Sequence, residues 1–513
     1  MTPAREQELL SEVARLRTEL ERSRLENQLL REKINLMLAR LFDKSSETVD
    51  PSQPELPFDP DAAKKASAAA PADPGPSAEE SPAPVRPRAP RKPRDLSHLP
   101  IEETLLMRDE AIAEPEAYRE LERIVTDRLD YQPGRILIQR TVRIVHVAKD
   151  DPDATPINPA APPSLGLGAT PRLVAYTTAA KYCHHRPHYR TEGILQRRHR
   201  VHIPRNTLCH WDKVVADTLE PLYKLIHRSL LATRNLQADE TPVRCLDPGK
   251  GKTSTGYLWV IHAPRNGIKG DILYQWHPSR KAACLDELLG NYQGNLQTDA
   301  YAGYKSWTTG KDGIDLSSCW AHARREFHEA LKIGQRLAAG PIARLYQIQA
   351  ALRETQATAA ERTAVRQQQS APVLEILKSE LLDLRQHPEV LPKGKLGRAI
   401  DYTLSLWDRL TLFVQHGEIE IDNNLIENGI RPTAVGKKNW LFVGGETTGQ
   451  RAAIIYTLVE CAKRHGHNPE AYLTDVLARL PAMTNQDDLT VLIPSHWQPA
   501  AAASAPAPVA CPV

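Results

Sequence analysis

The sequence predicts a multidomain α/β protein, and three observations carry that prediction. At 513 residues the chain is longer than one hydrophobic core serves. Between 233 and 330, short strand-like runs alternate with helical stretches. The first 47 residues follow a heptad pattern, and a Pro-rich stretch separates them from the rest of the chain.

Composition narrows the function classes. The hydrophobic fraction is 41%, and no apolar run reaches the length of a membrane span, so no membrane partner is expected. Charges interrupt the N-terminal residues, which therefore do not read as a signal peptide. Seven Cys are scattered without a CxxC pair, which argues against a disulfide framework and a standard zinc site. A cytoplasmic location fits that usage. Net charge is only +3, so nucleic-acid binding would rest on local basic patches.

Residues 1–47 are expected as a coiled-coil helix. Leu9, Leu16, Ser23, Leu30 and Met37 share one heptad position; Val13, Leu20, Asn27, Ile34 and Leu41 share the other. A polar Asn27 in such a seam fixes register in a parallel dimer. Packing on its own chain is the alternative for this helix. Residues 48–95 hold too few large apolar residues to fold alone. That linker ends in basic residues, among them Arg91, Lys92 and Arg94, which are candidate phosphate contacts or simply solvated charges.

Residues 96–168 read as a small α+β region, with alternation in RILIQRTVRIVHV marking a strand or hairpin. Residues 169–232 read as helices. HYRTEGILQRRHRVHIPRNTL has the grammar of a helix-turn-helix, which would turn Arg197, Arg198 and Arg205 towards a phosphate backbone. A helical hairpin that braces the next domain is the equal alternative.

The next segment carries the most information. NLQADETPVRCL, GYLWVIHAP and DILYQWHPS read as three antiparallel strands with Asp239 inside the first. A helix, a fourth strand ending at Asp299, and a strand–helix pair follow. That order is the order of a ribonuclease H-like core, here assigned to 233–330 and 397–465. In that layout the first and fourth strands are neighbours, so Asp239 and Asp299 meet. A buried Asp in a central strand is costly unless it is paired or metal-bound, and two together point to a divalent cation. Residues 331–396 read as a helical insertion with two long helices joined near Ser370.

DNNLIENGIRP, residues 422–432, supplies a third acid. Asn423 and Asn424 suit a helix start, where side-chain amides accept unpaired N–H groups. Glu427 and Arg431 follow at one-turn intervals, with Leu425, Ile426 and Ile430 towards a core. Arg431, Lys437 and Lys438 are candidate phosphate contacts past that helix. Residues 466–498 read as a C-terminal helical segment and 499–513 as a disordered tail. Cys319 and His322, spaced CxxH, are too few for a closed zinc site and are expected to line the site or serve structure. Tyr301, Tyr304 and Asn423 are expected beside the acids.

RLFDKSSE, KYCHHRPHYR, QADETPVR, TDAYAGY, CWAHARREFHEA, NNLIENGIRP and GKKNWLFVGG occur in this order. The set resembles the DDE transposases of the insertion sequence 66 type, the large transposase subunit of those bacterial elements. The resemblance covers most of the chain apart from linker and tail. It implies that Asp239, Asp299 and Glu427 form the catalytic triad. It implies two magnesium ions, for which manganese substitutes, and DNA partners: transposon ends and target DNA. A homodimer or higher oligomer through the coil, small accessory transposition proteins and association with the bacterial nucleoid are implied too. Two departures stand out. The region where members usually carry a Cys-rich zinc segment, roughly 100–160, has no Cys, so no zinc is predicted there. Asn428 follows the Glu where Arg is more usual. A decayed copy that only binds DNA ends, and a plain ribonuclease H-like nuclease, are the competing readings.

Overall fold

The structure is a computed structural model, and it describes residues 163–247, 252–264, 270–331, 339–484 and 486–499, with scattered residues of 12–34 and 134–139. The linker, most of the 96–168 region, the basic residues Arg91, Lys92 and Arg94, and the tail after 499 lie outside the described residues. Contacts set residues 57–137 apart as a unit of which only Gly134, Ile136 and Leu137 are described. The described part of the expected 135–147 strand, Ile136 to Gln139, has no regular structure. The described residues between 12 and 34 are helical, and Leu16, Leu20, Leu30 and Ile34 each leave about half of their surface exposed.

Three helices lead into the sheet: α1 (Pro171–Tyr182), α2 (His188–His199) and α3 (Arg205–Leu231). Thr170 caps α1 through its hydroxyl, and Pro171 follows at a position where no N–H is needed. Arg200 ends α2 in the left-handed region, and the next helix opens after Pro204. Four groups hold the three helices together. Lys181, Tyr182 and His188 all reach the buried Asp212 of α3, at 2.6, 3.3 and 2.8 Å. Much of the KYCHHRPHYR stretch therefore serves to clamp α1 and α2 onto α3.

The sheet has five strands: β1 (Asn235–Leu246), β2 (Thr253–His262), β3 (Ile272–His277), β4 (Gly294–Thr298) and β5 (Ile314–Ser318). Their spatial order is β3-β2-β1-β4-β5. The first three are antiparallel; β4 lies parallel to β1 and β5 parallel to β4. Helix α4 (Cys284–Leu289) precedes β4, α5 (Ala302–Thr308) precedes β5, and α6 (Trp320–Leu331) follows it. The first half of β1 is buried on both faces, as a central strand covered on both sides must be.

Helices follow: α7 (Ala339–Glu354), α8 (Ala359–Val365), a π-helical turn (Arg366–Ser370) and α9 (Ala371–Gln386) within the expected insertion of 331–396, then α10 (Lys395–Ser405) across its expected end and α11 (Trp407–Thr411) past it. The expected join near Ser370 is not a break. The helix passes through Ser370 in a wide π turn, and the break lies before Thr358. There Thr358 and Glu361 exchange hydrogen bonds as a capping box. These helices share a second core with α6 that draws on Trp320, Phe327, Leu377, Ile400, Phe413 and Ile421.

Helix α12 (Asn424–Trp440) carries Glu427, and α13 (Glu446–Arg464) and α14 (Pro469–Arg479) complete the chain. Gly466, at φ +78°, ends α13 with the expected left-handed cap. Strand β3 is one of the two outer strands, and α13 covers its free edge. The N–H groups of Ile272, Tyr274 and Trp276 donate to Cys461 Sγ, Thr457 Oγ1 and Gln450 Oε1. Gly449 permits that approach, because a Cβ there would meet the Trp276 ring at 2.2 Å. Among the described residues no helix is long and apolar enough to cross a membrane.

Candidate active site

The site grows out of the pairing between β1 and β4. Asn235 pairs with Asn295, Leu236 with Leu296 and Gln237 with Gln297. Asp239 follows Gln237 by two residues within β1, and Asp299 follows Gln297 by two residues beyond the paired stretch. Asp299 stands just past β4, where its Oδ1 accepts the Tyr301 N–H at 2.9 Å. Asp239 Oδ1 accepts the Glu240 N–H at 2.7 Å.

Alternate residues on a strand share a face, so the residues before each Asp form a ladder. Asn295 Nδ2 donates to Asn235 Oδ1 at 2.7 Å, and Gln237 Nε2 to Gln297 Oε1 at 2.8 Å. The same amides donate to a neighbouring segment. Asn235 reaches the Glu418 carbonyl at 2.8 Å, Gln297 that of Glu420 at 2.6 Å and Gln237 that of Asp422 at 2.9 Å. Three of these four buried amides thus stitch residues 418–422 across β1 and β4, and the fourth, Asn295, holds Asn235 from the side. The helix that carries Glu427 starts two residues later.

The insertion holds the other side of that segment. Glu420 is fully buried and receives Arg353 at 2.9 Å and Arg362 at 2.8 Å. Arg366 donates to the carbonyls of Phe413, His416 and Gly417. The third acid is therefore placed by the ladder below and by three arginines above.

At the start of α12 the expected cap is not made. Asn423 sits at φ −89°, ψ 10°, outside the extended conformation an N-cap side chain needs, and its buried amide has no hydrogen-bond partner. Asp422 does the work instead: its carboxylate accepts the Asn424 N–H at 3.1 Å and side-chain N–H at 2.9 Å. Ile426 and Ile430 are buried, as expected. Glu427 Oε1 is buried and accepts no hydrogen bond. It lies 3.8 Å from His322 Nε2, and Oε2 lies 4.0 Å from Arg325.

Electrostatics bind the three acids into one site. Burial, together with the negative charges of Glu240, Asp299 and Glu427, pushes the Asp239 carboxyl up to about 8. Glu240 is a neighbour that the sequence motifs do not single out. It is buried, accepts the Tyr304 hydroxyl at 2.7 Å and pairs with Arg280. Arg280 lies 3.8 Å over the Tyr301 ring, and the Tyr301 hydroxyl donates to the Arg280 carbonyl at 2.7 Å. Tyr301 and Tyr304 thus support the wall beside Asp299. Cys319 is buried, its thiol pushed up to about 12 chiefly by burial, and it accepts the Asn423 N–H at 3.1 Å.

The candidate DNA contacts fall in two groups. Arg197 and Arg198 lie exposed in the last turn of α2, and Arg205 lies exposed at the opening of α3. Arg431, Lys437 and Lys438 lie within α12 rather than past it, because the helix continues through Pro432 to Trp440. Arg431 and Lys438 are exposed, while Lys437 donates to Thr241 Oγ1 and the Pro242 carbonyl, both at 3.0 Å, and so ties α12 to β1. Trp440 packs, partly buried, against the main core.

Asp239 within β1, Asp299 just past β4 and Glu427 in the first turn of α12 gather on one side of a mixed sheet, and comparison with known proteins supplies the family. Residues 166–451 match the family described as "Transposase IS66 family". Residues 457–495 match its "IS66 C-terminal element", and residues 29–104 match "Transposase C of IS166 homeodomain". The chain belongs to the IS66 transposase family. Two similar proteins come from Sinorhizobium fredii (strain NBRC 101917 / NGR234). "Uncharacterized protein y4jD" is 31% identical over 417 residues, covering 77% of this chain and 81% of its own. "Uncharacterized protein y4qI" is 30% identical over 418 residues, covering 77% and 76%.

Proposed function

We propose that this chain is a DDE-type DNA transposase, built on a ribonuclease H-like core, that cleaves and joins insertion-element ends. The observation that carries the reading is the proximity of the three acids: Asp239 and Asp299 each follow the paired Gln237 and Gln297 by two residues, and the charges of Asp299 and Glu427 both act on the Asp239 carboxyl. The strand order and the helical insertion before the Glu support the same core.

The donor set fits magnesium. It offers carboxylate oxygens only, Glu427 keeps a buried oxygen without a hydrogen bond, and the repulsion that raises Asp239 is relieved by a cation. Asp239, Asp299 and Glu427 would hold two such ions, with manganese as a substitute. Bound ions of this kind stabilise charge on the attacking and leaving oxygens of an in-line displacement. The carboxylates themselves perform no proton transfer. Water is the nucleophile in nicking and the freed 3′ hydroxyl in joining; in each step one P–O bond forms and one breaks. Exposed Arg197, Arg198, Arg205, Arg431 and Lys438 are available to solvent as phosphate contacts. The half-exposed Leu16, Leu20, Leu30 and Ile34 supply a seam for self-association of the N-terminal helix.

The test is cleavage and strand joining on DNA carrying the element's ends, with magnesium, comparing the protein with Glu427→Gln. Joined products that disappear in the variant support the reading. End binding without cleavage in either protein, also after adding the element's accessory proteins, would overturn it in favour of a DNA-binding protein. Cleavage without joining would favour a nuclease.

A further inference from the structure

Next to the three carboxylates, β5 and α6 deliver donors of a different kind. Cys319 directly follows β5, and His322 lies in the first turn of α6. The Cys319 sulfur, an imidazole nitrogen of His322 and a carboxylate oxygen of Glu427 all lie within 4.8 Å of one another. The separation of His322 Nε2 from Glu427 Oε1 is 3.8 Å. Two ligand atoms on one tetrahedral zinc-class ion stand about 3.4–3.6 Å apart, given bonds of about 2.0–2.3 Å. A small closure of the cluster therefore completes a three-ligand set with one position left for water.

Backbone donors point at the Cys319 sulfur, while burial works against its ionisation until an ion is bound. The sulfur accepts the backbone N–H of Asn423 at 3.1 Å and a second backbone hydrogen bond from His322. Both donors favour negative charge on sulfur. Glu427 Oε1 and His322 Nδ1 are buried and make no hydrogen bond. Arg325 approaches the other Glu427 oxygen, no closer than 4.0 Å, and leaves Oε1 free to ligate.

We propose that Cys319, His322 and Glu427 bind one thiophilic divalent transition-metal ion, of the zinc or cobalt class. Sulfur and imidazole select such an ion over magnesium, which takes oxygen ligands and holds its waters. On binding, the Cys319 thiol releases its proton to solvent and a metal–sulfur bond forms; no electron transfer is involved. The site does not rest on the DDE reading. Its consequence for activity does: Glu427 belongs to both ligand sets, so an ion held here withdraws the third acid from the magnesium set and inhibits cleavage.

The test is a cobalt titration of the full chain, without DNA and under reducing conditions. The expected result is one tightly bound equivalent. It shows a near-ultraviolet sulfur-to-cobalt charge-transfer band and the strong visible bands of four-coordinate cobalt, both bleached by zinc. Cys319→Ser loses the charge-transfer band, while Cys209→Ser, at an exposed cysteine, keeps it. His322→Gln and Glu427→Gln keep the band but weaken binding about tenfold or more. Circular dichroism melts establish that each variant is folded, and if Cys319→Ser does not fold, the His322 and Glu427 variants decide. A band that survives Cys319→Ser, affinities unchanged in His322→Gln and Glu427→Gln, or no band at all would overturn the site. Magnesium-dependent cleavage is measured separately, so failure of this site and failure of the transposase reading give different results.

Discussion

Gln237 Nε2 donates to Gln297 Oε1 at 2.8 Å, two residues before Asp239 on one strand and two before Asp299 on the other. The same amide group of Gln237 also holds the Asp422 carbonyl, at the threshold of the helix that brings Glu427. One side chain therefore links the three segments that carry the acids. Gln237→Met is expected to lose about 1–3 kcal/mol of stability through the unpaired carbonyl and amide partners it leaves. Cleavage is expected to fall by about a hundredfold, because a displacement of the order of 1 Å between catalytic groups has that effect. Urea unfolding and a cleavage assay on the same preparation check both; equal activity in a measurably destabilised variant would refute the positioning role.

The Asp239 carboxyl gives the metal-free protein an unusual pH dependence. Its folded value near 8 is above the ordinary 3.8, so between those values the folded state binds the proton more tightly. Stability is then greatest below about 4 for this group and falls as pH rises towards 8, with an upper bound of about 5–6 kcal/mol on the loss. Thermal melts at several pH values with chelator present measure it. Asp239→Asn flattens this slope, and magnesium restores stability at pH 8 in the parent protein only.

Asp212 behaves in the opposite sense. Its burial works against ionisation, yet Lys181 and His188 outweigh it and hold the carboxyl down to about 2. The stabilisation is present above the ordinary 3.8 and disappears as pH falls towards 2. Asp212→Asn leaves Lys181 without its counter-charge in a largely buried place and is expected to cost about 3–5 kcal/mol. A loss below about 1 kcal/mol in chemical unfolding, the scale of an exposed pair, would show that the clamp between α1, α2 and α3 matters little.

Glu420 tests the part played by the insertion. Replacing it with Gln removes the charge that Arg353 and Arg362 share and loosens the segment that the ladder grips from below. Cleavage is expected to drop while DNA-end binding, measured by gel shift, is unchanged. A parallel drop in binding would mean that the insertion touches DNA instead of bracing the acid.

The N-terminal helix makes a separate prediction. Leu20→Glu places a charge in the apolar seam and is expected to shift the full chain from oligomer to monomer in light scattering. An unchanged mass would assign that helix another partner.

The strands are legible in the sequence because their apolar alternation and their bounding turns are local signals. Strand β1 runs over the residues expected for it, and Gly466 ends its helix as its residue type requires. The features that escape are polar and tertiary. NLQAD and NLQTD stand at 235–239 and 295–299, a repeat visible in the sequence, but a search for apolar periodicity passes over Asn and Gln. Only the pairing of β1 with β4 turns that repeat into a ladder. Residue type points to Asn423 as the cap of α12, while its backbone angle does not allow the role. The join expected near Ser370 is continuous helix, whereas the T-x-x-E box at Thr358 marks a true helix start. The convergence of Cys319 and His322 on Glu427 has no local signature at all, since the third member arrives from another part of the chain.

The bracing of residues 413–422 by the insertion has a consequence for biosynthesis. Both aspartates leave the ribosome well before Glu427, and domains fold from the N-terminal side as the chain emerges. The segment before Glu427 is held only once the insertion helices have presented Arg353, Arg362 and Arg366 to it. On the proposed function, a nascent chain that has not yet reached these helices and α12 holds two aspartates without their third partner.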